Sequence, residues 1–454
     1  MTAPRHIAVI DIGKTNAKLA LVEAGNLTEI DVRTRPNTVR PGPPWPHFDL
    51  DGHWDFLLDG LAGMQAAHGI DAISVTTHGA AAVLLDAEGG LAAPMLDYEH
   101  DGPGASAAAY DAIRPPFAET GSPRLPNGLN LGAQLHWMLT EDAGLAARVA
   151  HVVTYPQYWG FRLTGARATD VSSLGCHTDL WNPWAGRFSS LPARLGLADR
   201  FAPARHSSDV LGTVTAEVAA RTGLGRDTPV ACGIHDSNAS LYPHLLGRDA
   251  SFAIVSTGTW VVVMAVGGRP VDLDPARDTL VNVSARGEPV PSARFMGGRE
   301  YERLRGDGTA PTPQDRAAVL SGLHCLPAVE RGTGPFPARH GGFTAEPPTE
   351  GARTLALAWY LALMTDTCLT LAGAAGPVVV EGPFARNPDY LDMLAALHDR
   401  VEASGSATGT SAGAAMLVAP APRVAAGPAI TCSDRRALRA YAERWRARVE
   451  GRDG

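Results

Sequence analysis

The sequence predicts an α/β fold made of two halves, each with a mixed β-sheet and flanking helices. Three observations support this prediction. The chain has 454 residues, which is long for a single hydrophobic core. Its N-terminal part reads as strand, strand, helix and strand, and a turn of glycine and hydroxyl residues recurs between apolar strands later in the chain. We place the boundary near residue 246, which predicts domains at residues 1–245 and 246–454.

The first strands are predicted from two apolar runs, "HIAVIDIG" and "KLALVEAG", which are separated by a glycine-bearing turn. The stretch "HWDFLLDGLAGMQAAHG" has apolar residues at helical spacing and predicts a helix that ends near Gly69. "DAISVTTHGAAAVLLDAEG" then returns to strand character. Together these segments predict a mixed sheet with helices packed on it.

The second half opens with "SFAIVSTGTWVVVMAVGG", an uncharged stretch that polar turn residues divide into two strand-length pieces. A membrane helix needs about 20 mostly apolar residues without such a turn, so this stretch predicts a hairpin. "GPVVVEGPFARNPDYLDMLAALHD" predicts a strand, a glycine turn and a helix, and residues 305–350 predict surface loops around a short helix in "AAVLSGLHCLPA". The stretch "DRRALRAYAERWRARVEGR" predicts a terminal helix with arginines on its outer face.

The composition argues against several classes of protein. Apolar residues make up 45% and charged residues 19%, and the net charge is -8, so neither nucleic acid nor an anionic membrane is an expected partner. The five cysteines show no C-x-x-C spacing, which favours reduced, buried thiols over disulfides or a zinc site. Only four apolar residues lie between His6 and Asp11, whereas a signal peptide needs about 7–15. We therefore expect a cytoplasmic protein.

The turn in "VIDIGKTNAKLALV" carries more polar groups than a hairpin requires. Asp11 stands at the end of the first strand, and Gly13, Thr15 and Asn16 follow it. Backbone N–H groups of such a turn can cradle phosphate oxygens, and a carboxylate beside them repels phosphate unless a cation such as Mg²⁺ intervenes. A plain hairpin turn with a capping aspartate is the alternative interpretation.

A second acid occupies a strand-to-helix junction. "GIHDSNA" places Asp236 between a predicted strand and a predicted helix start. Such an acid can cap the helix. It can equally serve as a general base, because the helix N-terminus and a nearby Mg²⁺ would keep the carboxylate ionised.

Five motifs occur in a fixed order across nearly the whole chain: "DIGKTNAK", "GIHDSNA", "STGTW", "EGPFARN" and "GTSAGAA". Each is weakly specific alone, but the ordered set resembles the FGGY family of carbohydrate kinases. The resemblance implies membership of the superfamily of sugar kinases, heat-shock chaperones and actin. It also implies that superfamily's fold, in which two ribonuclease H-like domains with mixed β-sheets and flanking helices surround a central cleft.

The resemblance implies roles for the matching residues. Asp11 would bind Mg²⁺, and Asp236 would take the proton from the sugar hydroxyl. The residues implied to bind ATP are Gly13, Lys14, Thr15 and Asn16 in a first phosphate loop, Thr257, Gly258 and Thr259 in a second, and Gly382, Pro383 and Asn387 at the adenosine pocket. Many relatives carry Gly-Gly where this chain has Gly382 and Pro383, so the sequence departs from the family pattern at this nucleotide contact.

The sugar side is implied by two further stretches. "TTHGAAAVLLD" nominates His78 and Gly79, although His78 can also be read as a packed histidine at a strand end. "YPQYWGFRLTGARATDVSS" nominates Gln157 and Asp170, while Trp159 is expected in the core. His177 and Thr178, in "GCHTDLWN", receive no role.

The function implied is ATP-dependent phosphorylation of a sugar hydroxyl, with a sugar and ATP as the small-molecule partners. "DIGKTN" and "HDSNASL" look closest to kinases of 6-deoxyketohexuloses, such as rhamnulose or fuculose. Kinases of xylulose, ribulose or polyols share the same framework and stay open, as does a homodimeric assembly.

Two other classes of protein are alternatives to a sugar kinase. A non-catalytic ATP-gated regulator would keep the phosphate loops, but it would have no need for the acid at position 236. An α/β hydrolase is suggested by "GTSAG", which approaches the G-x-S-x-G elbow. No histidine follows Ser411 in the sequence, which rejects the hydrolase.

Overall fold

The computed structural model describes residues 4–248, 250–404, 409–419 and 427–451, and in it the chain forms two compact units. The first unit comprises residues 4–247, 281–289 and 409–419, and the second comprises the other described residues. The predicted division at 245/246 did not foresee that the two later segments belong to the first unit. One of them is fixed there by Ser74, whose Oγ donates a hydrogen bond of 2.7 Å to the carbonyl oxygen of Ala414.

The first unit is organised around a seven-stranded mixed sheet. The strand order is Val210–Thr213, Pro229–Ala231, Ala72–Thr77, His6–Ile12, Asn16–Glu23 and Thr28–Pro36, and Ile234–His235 also pairs with Ala72–Thr77. The first three strands of the chain run antiparallel, whereas Ala72–Thr77 runs parallel to His6–Ile12. This arrangement confirms the mixed sheet predicted from the order of elements. The stretch "PVACGIHD", predicted as one strand, is two, because Gly233 adopts a φ of 97° between them.

The helix Leu50–His68 forms where helical spacing predicted it. Its N-terminus is capped by Asp49, whose side chain accepts a hydrogen bond from the Gly52 N–H, and it ends at Gly69 with a φ of 76°. The side chains of Leu57 and Leu61 lie fully buried in the core of the sheet. The core of the first unit therefore lies between this helix and the sheet.

The chain forms a second mixed sheet, with six strands that belong mainly to the second unit. Its strand order is Thr279–Val283, Pro289–Phe295, Val261–Val266, Phe252–Thr257, Val378–Glu381 and Val401–Ala403. Phe252–Thr257 and Val261–Val266 pair antiparallel, with Thr257 opposite Val261. The uncharged stretch is therefore the hairpin that its interrupting turn predicted.

Two long helices complete the core of the second unit. Glu350–Leu371 is the one helix of the described chain that is long and apolar enough to cross a membrane by length and composition, and most of its side chains are buried inside the unit. Arg435–Glu450 buries Tyr441 and Trp445, and the Trp445 indole N–H donates a hydrogen bond of 2.7 Å to the carbonyl oxygen of Cys325. Trp359 is fully buried with them.

The remaining elements are short. The other helices are Gly102–Ala105, Ala107–Ile113, Phe117–Thr120, Leu131–Glu141, Leu145–Arg148, Tyr155–Thr164, Val171–Leu174, Leu191–Arg194, Ala216–Thr222, Asp236–Gly247, Gly297–Leu304, Pro313–Leu320, Pro388–Leu397 and Thr410–Ala415, with 3₁₀ turns at Pro275–Arg277 and Pro383–Arg386. Paired short strands are Val39–Arg40 with His47–Phe48, Ala82–Leu85 with His151–Thr154, Thr169–Asp170 with Ala204–Arg205, Trp181–Asn182 with Arg187–Phe188, and Cys325–Leu326 with Gly342–Phe343. The short helix predicted within 305–350 begins earlier than expected, because Thr312 and Asp315 form a capping box.

Candidate functional site

The first turn, residues 13–15, is held in shape by its neighbours. The Gly13 N–H donates a hydrogen bond of 2.9 Å to the carbonyl oxygen of Asn16. Asn37 makes two hydrogen bonds to the turn. Its side-chain amide donates to the Gly13 carbonyl oxygen at 2.8 Å, and its backbone N–H donates to the Thr15 carbonyl oxygen at 2.9 Å. Thr15 and Asn16 stay exposed. The turn is therefore rigid, yet open to a ligand.

Asp11 lies beside this turn with one of its oxygens already engaged. Its Oδ2 accepts a hydrogen bond of 2.5 Å from the Thr410 hydroxyl and lies 3.4 Å from the Lys18 ammonium. Burial raises the pKa of Asp11, Thr410 and Lys18 oppose this rise, and the Asp236 carboxylate adds to it. The Asp236 effect means that the two carboxylates lie close enough to repel each other, an arrangement that favours a cation near Asp11.

Asp236 is the first residue of the helix Asp236–Gly247, as the sequence predicted. Its Oδ1 accepts a hydrogen bond of 2.6 Å from the Ser237 N–H and lies 3.1 Å from Nε2 of His235. Its Oδ2 has no hydrogen-bond partner among the residues that the structure describes. The side chain is about one-third exposed, at 32%. One oxygen is thus fixed, and the other is free to accept a proton.

His235 connects Asp236 to a buried thiol. Its Nε2 lies 3.7 Å from Sγ of Cys176, and its Nδ1 lies 3.4 Å from the side-chain amide nitrogen of Asn238. Burial lowers the pKa of His235, but Cys176 and Asp236 outweigh burial and raise it above its ordinary value. Burial raises the pKa of Cys176, while His177 and His235 outweigh burial and lower it. The pair therefore favours a thiolate beside an imidazolium, and sequence reasoning had treated Cys176 as a structural thiol only.

His78 and Gly79 lie in the same neighbourhood. The His78 ring is packed 5.2 Å from Phe48 and from Tyr98 between ring centroids, and its Nδ1 lies 2.9 Å from the Gly79 carbonyl oxygen. Its Nε2 is buried without a partner among the described residues. A Cβ added to Gly79 would come within 2.6 Å of His235 Nε2. Gly79 is therefore required for close packing, and His78 retains an unused polar atom.

Gln157 and Asp170, the other two residues nominated for the sugar, are fully buried. The Gln157 amide donates to the carbonyl oxygens of Cys232 at 2.9 Å and Gly233 at 3.2 Å, immediately before the strand that carries His235. These contacts give Gln157 a structural role in positioning the strand. A direct sugar contact for it stays a prediction.

Asp170 caps the short helix Val171–Leu174. Its carboxylate accepts hydrogen bonds from the N–H groups of Ser172 and Ser173, at 2.9 and 3.0 Å, and from the Ser207 hydroxyl at 2.9 Å. Ser172 in turn accepts a hydrogen bond of 3.0 Å from the His235 N–H. Asp170 is therefore linked through Ser172 to the backbone of His235, the residue before Asp236. A direct sugar contact for Asp170 stays a prediction. Trp159 is fully buried, as expected.

In the second unit the structure brings two predicted nucleotide segments together. The Thr257 hydroxyl donates to the carbonyl oxygen of Glu381 at 2.5 Å and accepts from the Phe384 N–H at 3.1 Å. Gly382 has a φ of 81°, and a Cβ there would lie 2.1 Å from the Thr257 carbonyl oxygen. The turn after Thr257 and the turn at Gly382 therefore form one continuous surface.

The residues around these turns explain part of the sequence. Pro383 starts a 3₁₀ turn, a position where a missing N–H costs little, and Asn387 caps the helix Pro388–Leu397 by accepting from the Tyr390 N–H at 3.1 Å. Gly298 was missed by sequence reasoning. A Cβ there would lie 2.1 Å from the Gly258 carbonyl oxygen, so Gly298 packs directly on the predicted second phosphate loop.

A preformed metal cage is absent from the described residues, because no group of three or more His, Cys, Asp or Glu side chains is placed to hold a metal. Mg²⁺ commonly binds through one or two carboxylates, substrate phosphates and water. Asp11, with an adjacent repelling carboxylate in Asp236, fits that mode of binding.

The chain is similar to proteins of known family. Residues 116–242 match the N-terminal domain of the FGGY family of carbohydrate kinases, and residues 249–426 match the C-terminal domain described as "Carbohydrate kinase FGGY". A carbohydrate kinase from Novosphingobium aromaticivorans is 38% identical in sequence to this chain. Its crystal structure matches the present structure with a TM-score of 0.89 over 99% of both chains.

Two more distant proteins are also similar. Xylulose kinase from Rhodospirillum rubrum shares the fold, with a TM-score of 0.76 and 22% identity over 98% of both chains. Rhamnulokinase from Enterobacter sp. (strain 638) is 25% identical over 288 residues, which cover 60% of this chain and 56% of that protein. The match to the Novosphingobium kinase extends over essentially the whole chain, and the two domain matches lie in the expected order. This chain belongs to the FGGY family of carbohydrate kinases, which are phosphotransferases.

Proposed function

We propose that this protein transfers the γ-phosphoryl group of ATP to a hydroxyl of a ketose, specifically a 6-deoxyketohexulose of the rhamnulose or fuculose type. The observation that carries the proposal is the hydrogen bonding of the Asp236 carboxylate. Its Oδ1 is held by Ser237 and His235, and its Oδ2 is without a partner among the described residues. The sequence similarity to a rhamnulokinase supports the sugar class.

In the proposed reaction Oδ2 of Asp236 takes the proton of the attacking hydroxyl. This step requires an ionised carboxylate at the first position of the helix Asp236–Gly247. A positioned general base contributes roughly 10²–10⁴-fold to such reactions. The remaining work is positioning and charge stabilisation, because phosphoryl transfer leaves little covalent chemistry to the protein.

The phosphates are assigned to the two glycine turns. Gly13, Thr15 and Asn16 supply the first, and Thr257, Gly258 and Thr259 supply the second. Asp11 would hold Mg²⁺, which when bound neutralises charge on the phosphate oxygens. Gly382, Pro383 and Asn387 are assigned to adenosine. A cytoplasmic location and a homodimeric assembly stay predictions.

An ADP-release assay with a panel of sugars tests the proposal. The panel is L-rhamnulose, L-fuculose, D-xylulose, D-ribulose, glycerol and D-gluconate, each with Mg·ATP and against a no-sugar blank. We expect the highest kcat/KM with one of the two 6-deoxyketohexuloses. Highest activity with another neutral member would revise the sugar and leave the kinase activity standing.

The same panel tests the non-catalytic alternative. An ATP-gated regulator would bind Mg·ATP by calorimetry and release no ADP above the blank with any sugar. That combination would overturn the proposed activity.

A further inference from the structure

The sequence contains only two lysines, Lys14 and Lys18, and both lie in the hairpin around the first turn. Every other basic side chain, histidine aside, is arginine. The ammonium of Lys18 lies 3.4 Å from Asp11 and 3.0 Å from Glu29. An ammonium is a compact point charge that a planar guanidinium does not replace. Both lysines of the sequence therefore place a compact cation beside this turn.

The ammonium of Lys14 has different partners. It is hydrogen-bonded to Asp97 and lies 3.1 Å from the carboxylate of Glu99. It also lies 5.2 Å from the ring centroid of Phe48 and 4.9 Å from that of Tyr98. Lys14 was predicted to bind phosphate as part of the first loop. Its side chain is instead surrounded by carboxylates and aromatic rings.

The same two rings contact His78, which links Lys14 to the region of the base. The His78 ring packs against Phe48 and Tyr98, and its Nε2 is a buried nitrogen without a partner among the described residues. Asp236 acts electrostatically on His78 and on Tyr98 alike. Lys14 therefore belongs to the cluster of polar groups around the base.

We propose that Lys14 recognises the sugar rather than the phosphates, and that Lys14, Asp97 and Glu99 form a hydroxyl clamp selective for a neutral polyhydroxy substrate. This inference rests on the proposed kinase function. An ammonium has three N–H donors; one is hydrogen-bonded to Asp97, and Glu99 lies close enough to engage a second. The third N–H of the ammonium can donate to one sugar hydroxyl. Free lone pairs of the two carboxylates can accept hydrogen bonds from the neighbouring hydroxyls of the sugar.

The charges of the cluster give the selectivity. The single positive charge of Lys14 lies against the carboxylates of Asp97 and Glu99, and burial lowers the pKa of the neighbouring His78. The carboxylates outnumber the cation, so a carboxylate or phosphate entering here meets net repulsion. A neutral polyol meets none and satisfies the same donors and acceptors.

The two lysines allow a direct test by amine labelling of the full-length protein. Acetylation with an N-hydroxysuccinimide ester can modify only Lys14, Lys18 and the N-terminal amine, and mass spectrometry reads each site separately. The probes are Mg·ADP and the neutral sugar that the panel ranks first, each at ten times its dissociation constant. We expect the sugar to slow labelling of Lys14 about tenfold, as its occupancy requires, and Mg·ADP to leave Lys14 unprotected.

Lys18 serves as the internal control, because it lies against Asp11 and should be protected by Mg·ADP. Protection of Lys14 by Mg·ADP and not by the sugar would overturn the proposal. Absence of ADP release with every sugar would instead remove the proposed function on which it rests, so the two failures are distinguishable.

Kinetics of variants provide a second readout. Lys14→Met should raise KM for the sugar about tenfold or more, the scale of a lost hydrogen bond to a charged group, while KM for ATP stays within about twofold. Lys14→Arg should not restore the sugar KM, since the planar group misses the geometry. Arg187→Met, at an exposed position, is the matched control for loss of a long cation.

The substrate class is tested with Asp97→Asn. Removing one carboxylate should raise the ratio of kcat/KM for D-gluconate to that for the ketose, because repulsion of the substrate carboxylate falls. A wild-type protein that prefers D-gluconate over every neutral sugar would contradict the selectivity. A larger change in KM for ATP than for the sugar in Lys14→Met would contradict the clamp.

Discussion

Thr410 donates a hydrogen bond of 2.5 Å to Oδ2 of Asp11, although the two residues are 399 positions apart in the chain. The bond directs one oxygen of Asp11 toward Thr410 and leaves the other for a ligand. It also opposes the rise in the pKa of Asp11 that burial causes. Thr410 therefore acts directly on the carboxylate that we propose as the Mg²⁺ ligand.

Thr410→Val should weaken the response to Mg²⁺ by about 10–100-fold, which is the usual cost of losing a group that supports a metal ligand. The acid limb of the rate profile should move to higher pH, because a cause that lowers the pKa of Asp11 has been removed. A magnesium titration at several pH values measures both effects. Thr410→Ser keeps the hydroxyl and should behave as wild type. An unchanged magnesium dependence in Thr410→Val would remove Thr410 from this role.

Asp236→Asn should abolish phosphoryl transfer and leave Mg·ATP binding nearly intact. The amide has the same size, so packing is kept, but the proton acceptor is lost. We expect kcat to fall by about 10²-fold or more, equivalent to about 2.7 kcal/mol or more in the activation free energy. Calorimetry with Mg·ATP and a coupled kinase assay separate the two effects. A variant that retains more than about a tenth of wild-type kcat would show that the base lies elsewhere.

Gly382→Ala should destabilise the second unit and raise KM for ATP. The residue has a φ of 81°, and an added Cβ would lie 2.1 Å from the backbone oxygen of Thr257, which cannot move aside cheaply. Strain and overpacking of this kind cost roughly 1–3 kcal/mol each. Thermal unfolding measures the loss. Gly104→Ala is the control, since no atom would lie within 4 Å of its Cβ, and it should leave the melting temperature almost unchanged.

The native protein should contain one thiolate at neutral pH. Burial raises the pKa of Cys176, but His177 and His235 outweigh it and lower the pKa to about 5, whereas burial raises the pKa of the other four thiols. Thiolate absorbance in the ultraviolet should therefore show one group titrating well below the rest. Cys176→Ser should remove it. A native titration curve without a low-pH thiolate would contradict the ion pair.

The pair also predicts how stability depends on pH. The folded-state pKa of Cys176 is lowered, so its contribution is present above the unfolded-state pKa and is lost as pH falls through about 5. The folded-state pKa of His235 is raised, so its contribution is present below the unfolded-state pKa and is lost as pH rises through about 9. Wild type should exceed Cys176→Ser in melting temperature mainly between these limits. A constant difference from pH 4 to pH 10 would argue for packing alone.

Much of the fold could be predicted because its signals are local. Helical spacing and Gly69 defined the helix Leu50–His68, and the turn residues after Ser256 divided an apolar run into a hairpin. Asp11 and Asp236 were found for the same reason, since Asp11 lies next to the last residue of the strand His6–Ile12 and Asp236 directly follows the strand Ile234–His235. The resemblance to the FGGY family then indicated that these separate motifs belong to one known family, in which they occur in the same order.

The rest depends on contacts that no local pattern contains. The Gln157 amide donates to backbone carbonyl oxygens 75 and 76 positions away, at Cys232 and Gly233. The Asp170 carboxylate accepts from nearby backbone N–H groups and also from the Ser207 hydroxyl, 37 positions away. Lys14 lies within a predicted phosphate loop, but its side chain follows the aromatic rings and carboxylates of residues 48 and 97–99. Packing decides the direction of a side chain and its hydrogen bonds to distant segments. The periodicity of the sequence does not encode these contacts.

The membership of residues 409–419 in the first unit has a consequence for the order of synthesis. A ribosome makes Asp11 long before Thr410, and most of the second unit is synthesised between the two residues. Domains generally fold as their chain appears, N-terminal parts first. The first unit therefore lacks the backbone oxygen of residue 414 beside Ser74 until residues 409–419 have been synthesised. A nascent chain arrested before residue 409 would carry the base and the first turn without the group that directs Asp11.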